Sequence, residues 1–259
     1  FFLKTNISFN KINKLAIPAL IAGIAEPLIS ITDTAIIGNI DYNAKESLGA
    51  IAIVGSFLSM LIWVFAQTRS AVSSIISTYL GANKLEKVKT LPAQAMSIVV
   101  GLGFLIIILT YPFSEFIFKV FGADQNILTY AVDYYEIRII GLPFTLFVFT
   151  VFGTFRGLQN TLQPMLIALL GAILNIIFDW ILVYGIHGII PAMNVKGAAY
   201  ASVISQITMA LAAGYLLHKK TSISLKFTLP FNKEIPKLIK MVVDLFLRTI
   251  ALNAALIFA

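Results

Sequence analysis

Long apolar stretches alternate with short polar connections along this chain. A helix needs about twenty apolar residues to cross roughly 30 Å of hydrocarbon. The pattern predicts six complete spans, at 14–38, 48–67, 94–112, 127–153, 163–186 and 197–217, and the start of a seventh near 237. The second span is expected to continue as helix through Ser70 to Leu80 and to stop at Gly81-Ala82-Asn83, where small and left-handed-tolerant residues suit a helix C-terminus. No span carries the ten-residue alternation of an outer-membrane barrel. The fold class that follows is all-α integral membrane. A six-helix lobe occupies 1–217, a basic linker 218–236, and the truncated start of a seventh helix 237–259.

Composition sharpens this picture. Hydrophobic residues make up 59% of the 259 positions and charged residues 12%, and mean hydropathy is +0.91. A soluble domain carries about twice that charge, so a soluble enzyme or nucleic-acid binder is disfavoured. The net charge of +7 then reads as membrane topology rather than as a phosphate-binding patch. Cysteine is absent, which removes disulfides and thiol chemistry. The chain opens on Phe1 and stops at Ala259 within an apolar run, so it reads as a fragment of a longer protein.

Positive charge is unevenly shared between the two sides. One side holds Lys4, Lys11, Lys14, Lys84, Lys87, Lys89, Arg156, Lys219, Lys220, Lys226, Lys233, Lys237 and Lys240. The other holds Lys45, Lys119 and Lys196; Arg69, Arg138 and Arg248 fall within or at the edge of helical stretches. The positive-inside rule places the N-terminus in the cytoplasm, giving a multi-pass inner (plasma) membrane protein. The lysines of 218–236 read as a topology signal on a solvated face, with a lipid-headgroup site as the alternative.

Ionisable residues within membrane helices are costly and are functional candidates by default. In the first span Gly23, Glu26, Ser30 and Asp33 share one helical face, and Pro18 and Pro27 favour bending. That combination predicts a movable, cavity-lining helix, although either acid could simply pair with a neighbouring helix. In the fifth span Asn175 and Asp179 stand one turn apart, with Gly171 allowing close helix approach. Asp179 has no cation one turn away, so another helix, a bound cation, water or a proton must offset its charge. The fourth span presents Tyr134, Arg138, Gly141 and Thr145 on one face. Tyr134 reads equally as an interface aromatic. Arg138 is expected to pair locally with Asp133 or Glu136 rather than to meet a substrate.

Counted inward from the span ends at 1.5 Å per residue, Asp33, Asp179, Tyr134 and Ser202 converge roughly 8–10 Å below the outer boundary. Carboxylates, an amide and hydroxyls are hard oxygen ligands suited to Na⁺ or a proton relay. The sequence has no phosphate-binding loop for ATP and no zinc-protease, serine-hydrolase or dinucleotide motif. His187 and His218 sit near connections and read as surface residues. Gly153 and Gly157 form a weak packing signal. Asn6-Ile7-Ser8 matches a glycosylation acceptor on the wrong side of the membrane. The 20 Phe read as core and lipid-facing packing, with an apolar pocket for aromatic cations as the alternative.

The quoted segments resemble one family. Pro27–Gly38 (PLISITDTAIIG) is similar to the first-helix signature of multidrug and toxic compound extrusion (MATE) transporters, and Gly153–Met165 (GTFRGLQNTLQPM) to their element after the fourth helix. Asn175 with Asp179, and Gly197–Gln206 (GAAYASVISQ), resemble the fifth and sixth helices. VVDLFLRTIALNA at 242–254 resembles the seventh-helix entry of the DNA-damage-inducible F (DinF) branch. The resemblance implies half of a twelve-helix, two-lobe antiporter that expels cationic or amphipathic drugs in exchange for H⁺ or Na⁺. It would use no cofactor and no nucleic acid, and would be monomeric once the second lobe is present. It further implies that Asp33, Asn175, Asp179, Tyr134 and Ser202 form the cation or proton site, with Na⁺ at Asp33, Asn175 and Asp179; Glu26 and Arg138, from the polar faces of the first and fourth spans, are candidates for additional cavity residues. Phe149 and Phe152 stand where the family carries asparagines. A lipid-linked precursor flippase of the same superfamily is the nearest rival. An integral-membrane lipid-modifying enzyme is a more distant one, for which the acids Asp133 and Glu136 are too few.

Overall fold

In lipid, backbone polar groups must be satisfied within the segment, so apolar runs of this length fold as helices. The computed structural model describes residues 8–41 and 43–258, with side chains left out at 26, 125 and 253–258. Lys4, Asn6, Ile7 and the Glu26 side chain therefore lie outside the described residues. The helices are α1 (Phe9–Gly38), α2 (Ala44–Gly81), α3 (Leu91–Thr110), α4 (Ser114–Val120), α5 (Gln125–Arg138), α6 (Leu142–Gly157), α7 (Leu162–Tyr184), α8 (Asn194–Lys220) and α9 (Ile235–Phe258). Among the described residues, six segments are long and apolar enough to cross a membrane: α1, α2, Leu85–Val120, Asn126–Gly157, α7 and α8.

The second helix ends as the sequence predicts, at Gly81, with Asn83 at φ 54° beyond it. Two other spans are corrected. The third does not finish at 112. After a single 3-10 turn, Tyr111–Phe113, the chain resumes as α4. The fourth is not one helix over 127–153 but α5 and α6 joined by a 3-10 turn at Ile139–Gly141. Proline explains both. Pro112 and Pro143 have no N–H to offer the carbonyls of Ile108 and Ile139, four residues earlier. Pro18 and Pro27, by contrast, lie inside α1, which remains one helix of 30 residues.

Glycines set the helix spacing. A Cβ on Gly153 would collide with the backbone of Arg69 on α2, and one on Gly157 would lie 2.7 Å from Cβ of Ile76. The pair judged weak from sequence is where α6 meets α2 backbone to backbone. Gly171 leaves the space that Met209 of α8 fills. Phe57, Phe118, Phe121 and Tyr135 form an edge-to-face cluster joining α2, α4 and α5.

The two ends of the bundle differ in kind. At one end Asn43 donates to the Tyr130 hydroxyl (2.7 Å), Tyr184 donates to the carbonyl of Ile36 (2.9 Å), and Lys196 meets Asp133 (3.2 Å). The other, basic end gathers the remaining connections. There the connection leading to α9 does not hang free. Gln94, fully buried at the start of α3, donates to the carbonyls of Thr228 (2.7 Å) and Pro230 (3.1 Å) and accepts from the Asn232 N–H (2.8 Å). Asn232 donates to the Lys87 carbonyl (2.9 Å) and to the Thr90 hydroxyl (3.1 Å). Tyr79 donates to Glu234 (2.8 Å), and Ile235 and Leu238 of α9 are buried against α2.

Candidate functional site

The buried face of α1 is built from Ala22, Ala25, Asp33 and Ile37. The predicted polar stripe splits: Asp33 turns inward, whereas Gly23 and Ser30 are exposed. α7 buries Gly171, Ala172, Asn175, Asp179 and Val183, which is one face of a 3.6-residue helix. Packing α1 on α7 sets Asp33 and Asp179 side by side, with their carboxyl groups within hydrogen-bonding range of each other.

Both acids are shut away from solvent, Asp33 at 7% exposure and Asp179 at 0%. The sequence predicts a cavity-lining pair; in this conformation the pair is enclosed. Asn175, at 1% exposure, donates to the Ser202 hydroxyl of α8 over 3.4 Å. Tyr134 is buried beside Arg138, and both stand close enough to interact with the two acids. Tyr134 is thus an interior residue and not part of an interfacial aromatic belt.

Arg138 corrects a second expectation. Asp133 pairs with Lys196 instead, and Glu136 accepts from Tyr111 (3.4 Å) and Ser114 (3.5 Å). The 3-10 turn that follows Arg138 closes α5 at the level of the acids, and the guanidinium interacts electrostatically with Asp33 and Asp179.

The hydrogen-bond inventory of this cluster is incomplete. Oδ1 of Asp33, both carboxylate oxygens of Asp179, Oδ1 of Asn175 and Nε of Arg138 are buried without a partner. Buried polar atoms are nearly always paired, and an unpaired buried carboxylate is expensive. Four acceptor oxygens on two packed helices, three of them carboxylate oxygens, are thus left unpaired. Among the described residues no three His, Cys, Asp or Glu side chains group as a metal cluster. The donors available to a cation are two carboxylates and neutral oxygens.

Sequence reasoning missed Gln206, one turn beyond Ser202 on α8. Its buried Oε1 has no partner, and it occupies the space that a side chain at Gly141 would need. The i,i+4 spacing from Ser202 was the available signal. Phe149 and Phe152 are buried, and the Arg69 guanidinium lies 5.2 Å from the centre of the Phe149 ring. His187 and His218 are exposed.

The family model MatE matches residues 18–181. Among curated relatives, the chain is 30% identical over 206 residues to DNA damage-inducible protein F of Escherichia coli K12, covering 80% of this chain and 43% of that protein. It is 26% identical over 218 residues to the probable multidrug resistance protein NorM of Thermotoga maritima, covering 82% and 45%. Among solved structures, a crystal structure of MATE in the bent conformation superposes with a TM-score of 0.84 at 24% identity, over 96% of this chain and 55% of that one. The chain spans about half the length of the curated relatives it matches.

Proposed function

Because this chain belongs to the MATE family of multidrug efflux transporters, we propose that it forms the ion-coupling lobe of a secondary antiporter. Cationic or amphipathic drugs would leave the cell in exchange for H⁺ or Na⁺ bound at Asp33 and Asp179. The observation that carries this reading is the juxtaposition of two enclosed carboxyl groups, three of whose four oxygens are buried without a donor.

Charge balance specifies what can bind. Two ionised carboxylates beside one guanidinium leave one negative charge uncompensated. A single proton shared between Asp33 and Asp179 would cancel it and supply the missing donor. A single Na⁺ would cancel it as well, drawing on Asn175 Oδ1 and the carboxylate oxygens, with Ser202 and Tyr134 holding the amide and the acids in place. Either ion can drive a conformational change only through different affinities for two states. In one state the acids face each other across the α1–α7 contact. In the other, with the charge restored, they separate. Pro18 and Pro27 each delete a backbone hydrogen bond from α1, so bending costs least in that helix. In this reading the N-terminus is cytoplasmic, 1–217 is the first lobe, and the two lobes of a monomer rock about a central site.

The test is transport by the full-length protein in proteoliposomes, with pH and Na⁺ gradients imposed separately. Asp33→Asn and Asp179→Asn should each abolish ion-driven drug efflux while the protein still inserts and purifies. Efflux at the parental rate in both variants would rule the site out.

A further inference from the structure

A groove of about 430 Å³ opens on the bundle surface between α3, α6 and α8. Its walls are Val100, Phe104, Pro143, Phe147, Leu211 and Tyr215. The only polar side-chain group among these is the Tyr215 hydroxyl. Phe104, Leu211 and Tyr215 are 53%, 70% and 60% exposed, so no other described residue covers the groove.

Residue counts along the helices set the groove's level in the bilayer. Tyr215 lies five residues before the end of α8, about 7.5 Å below the basic end, and Phe104 lies about 20 Å along α3 from the same end. The groove therefore runs through the hydrocarbon layer, towards the bilayer midplane. Its mouth is cationic. The Lys219 ammonium donates to the Tyr215 hydroxyl at 3.1 Å and stands 5.4 Å from the ring centre. Leu225 reaches Gly214 at the groove floor, and the exposed Lys226 follows it in sequence. No acid occurs between Gly197 and Lys233.

We propose that this groove binds an anionic phospholipid, with one acyl chain lying along Phe104, Phe147 and Leu211 and the phosphate seated on Lys219 beside Lys226. An apolar slot lined by aromatic side chains takes a chain of methylenes. Lysines next to a membrane surface select a negative headgroup. The hydroxyl of Tyr215 holds the Lys219 ammonium at the headgroup level, where amphipathic aromatic rings sit. This inference rests on the membrane placement of the helices and on the groove facing lipid in the full-length protein, not on the exchange reaction.

The test is native mass spectrometry of the full-length protein titrated with phosphatidylglycerol, with phosphatidylcholine of the same chains, or with glycerol phosphate alone. One copy of phosphatidylglycerol should bind at least tenfold more tightly than phosphatidylcholine, and glycerol phosphate should not be retained. Lys219→Gln with Lys226→Gln should weaken phosphatidylglycerol about tenfold and leave phosphatidylcholine unchanged. Lys84→Gln, exposed at the same end and distant in sequence, should change neither. Gly214→Phe, which puts a ring into the slot, should weaken both lipids; the exposed lysine pair gives the answer if that variant does not fold. Equal affinity for the two lipids, retention of phosphatidylglycerol by the double variant, equal binding of glycerol phosphate, or no retained lipid would each overturn the proposal.

Discussion

Gln94 at the basic end and the two acids between α1 and α7 are all buried, but their hydrogen bonds are finished to different degrees. At the basic end every amide group of Gln94 is used: two carbonyls receive its N–H groups and an N–H meets its oxygen. Asn232 beside it is equally complete, donating to Lys87 and Thr90 and accepting from the Glu234 N–H. Between α1, α7, α5 and α8 the opposite holds. Asp33, Asn175, Asp179 and Arg138 all retain buried atoms with nothing to bond. A saturated network locks parts together, because removing any member orphans its partners. A network with acceptors to spare is costly unless something arrives to fill it. The first is architecture. The second has the makings of a site.

Substitutions can break this contrast. The largest effect is expected from Asp179→Asn: ion-driven transport falls to background, yet thermal stability in detergent is held or rises, because an uncompensated buried carboxylate is lost. A fall in melting temperature as large as that of a core cavity variant would make Asp179 a structural residue. Gln94→Leu should do the reverse. It orphans two carbonyls and an N–H at roughly 1–3 kcal/mol each if no water replaces the amide, so the melting temperature drops while the ion dependence of the remaining transport stays parental. Asn175→Ala should lie between the two, with ion affinity down about tenfold, as for loss of a group that orients or supplies a ligand, and with folding little changed; ion titration of transport reads it. The smallest effect belongs to Lys196→Gln. Its ion pair with Asp133 is half exposed, so chemical denaturation should register less than about 1 kcal/mol.

The spans were legible because hydropathy is a local property and each span exceeds the thickness of the bilayer core. The meeting of Asp33 with Asp179 was partly legible, since residue counts fix depth along a helix. Rotation about each helix axis was not. That is why Gly23 and Ser30 were grouped with Asp33 although they lie on the exposed edge of α1. Proline was read where it looked most disruptive, at Pro18 and Pro27, yet α1 stays continuous and the chain breaks at Pro112 and Pro143. A proline deletes one hydrogen bond wherever it falls; whether the helix closes over the gap depends on neighbours remote in sequence. Arg138 was assigned to the acids nearest along the chain. The turn at Ile139–Gly141, together with Lys196 and Ser114 from other elements, redirected all three partners. The clasp of Gln94 left no local trace, because each of its partners lies more than 130 residues away in sequence.

The stretch from Thr221 to Glu234 would reach roughly 45 Å if drawn out straight, ample leash for α9 to drift from the bundle. The pins at Thr228, Pro230 and Asn232 take up most of that length. Leu225, packed at Gly214 of α8, holds the stretch between them and α8. In this conformation the tether is therefore held against α2 and α3 and has little length to give.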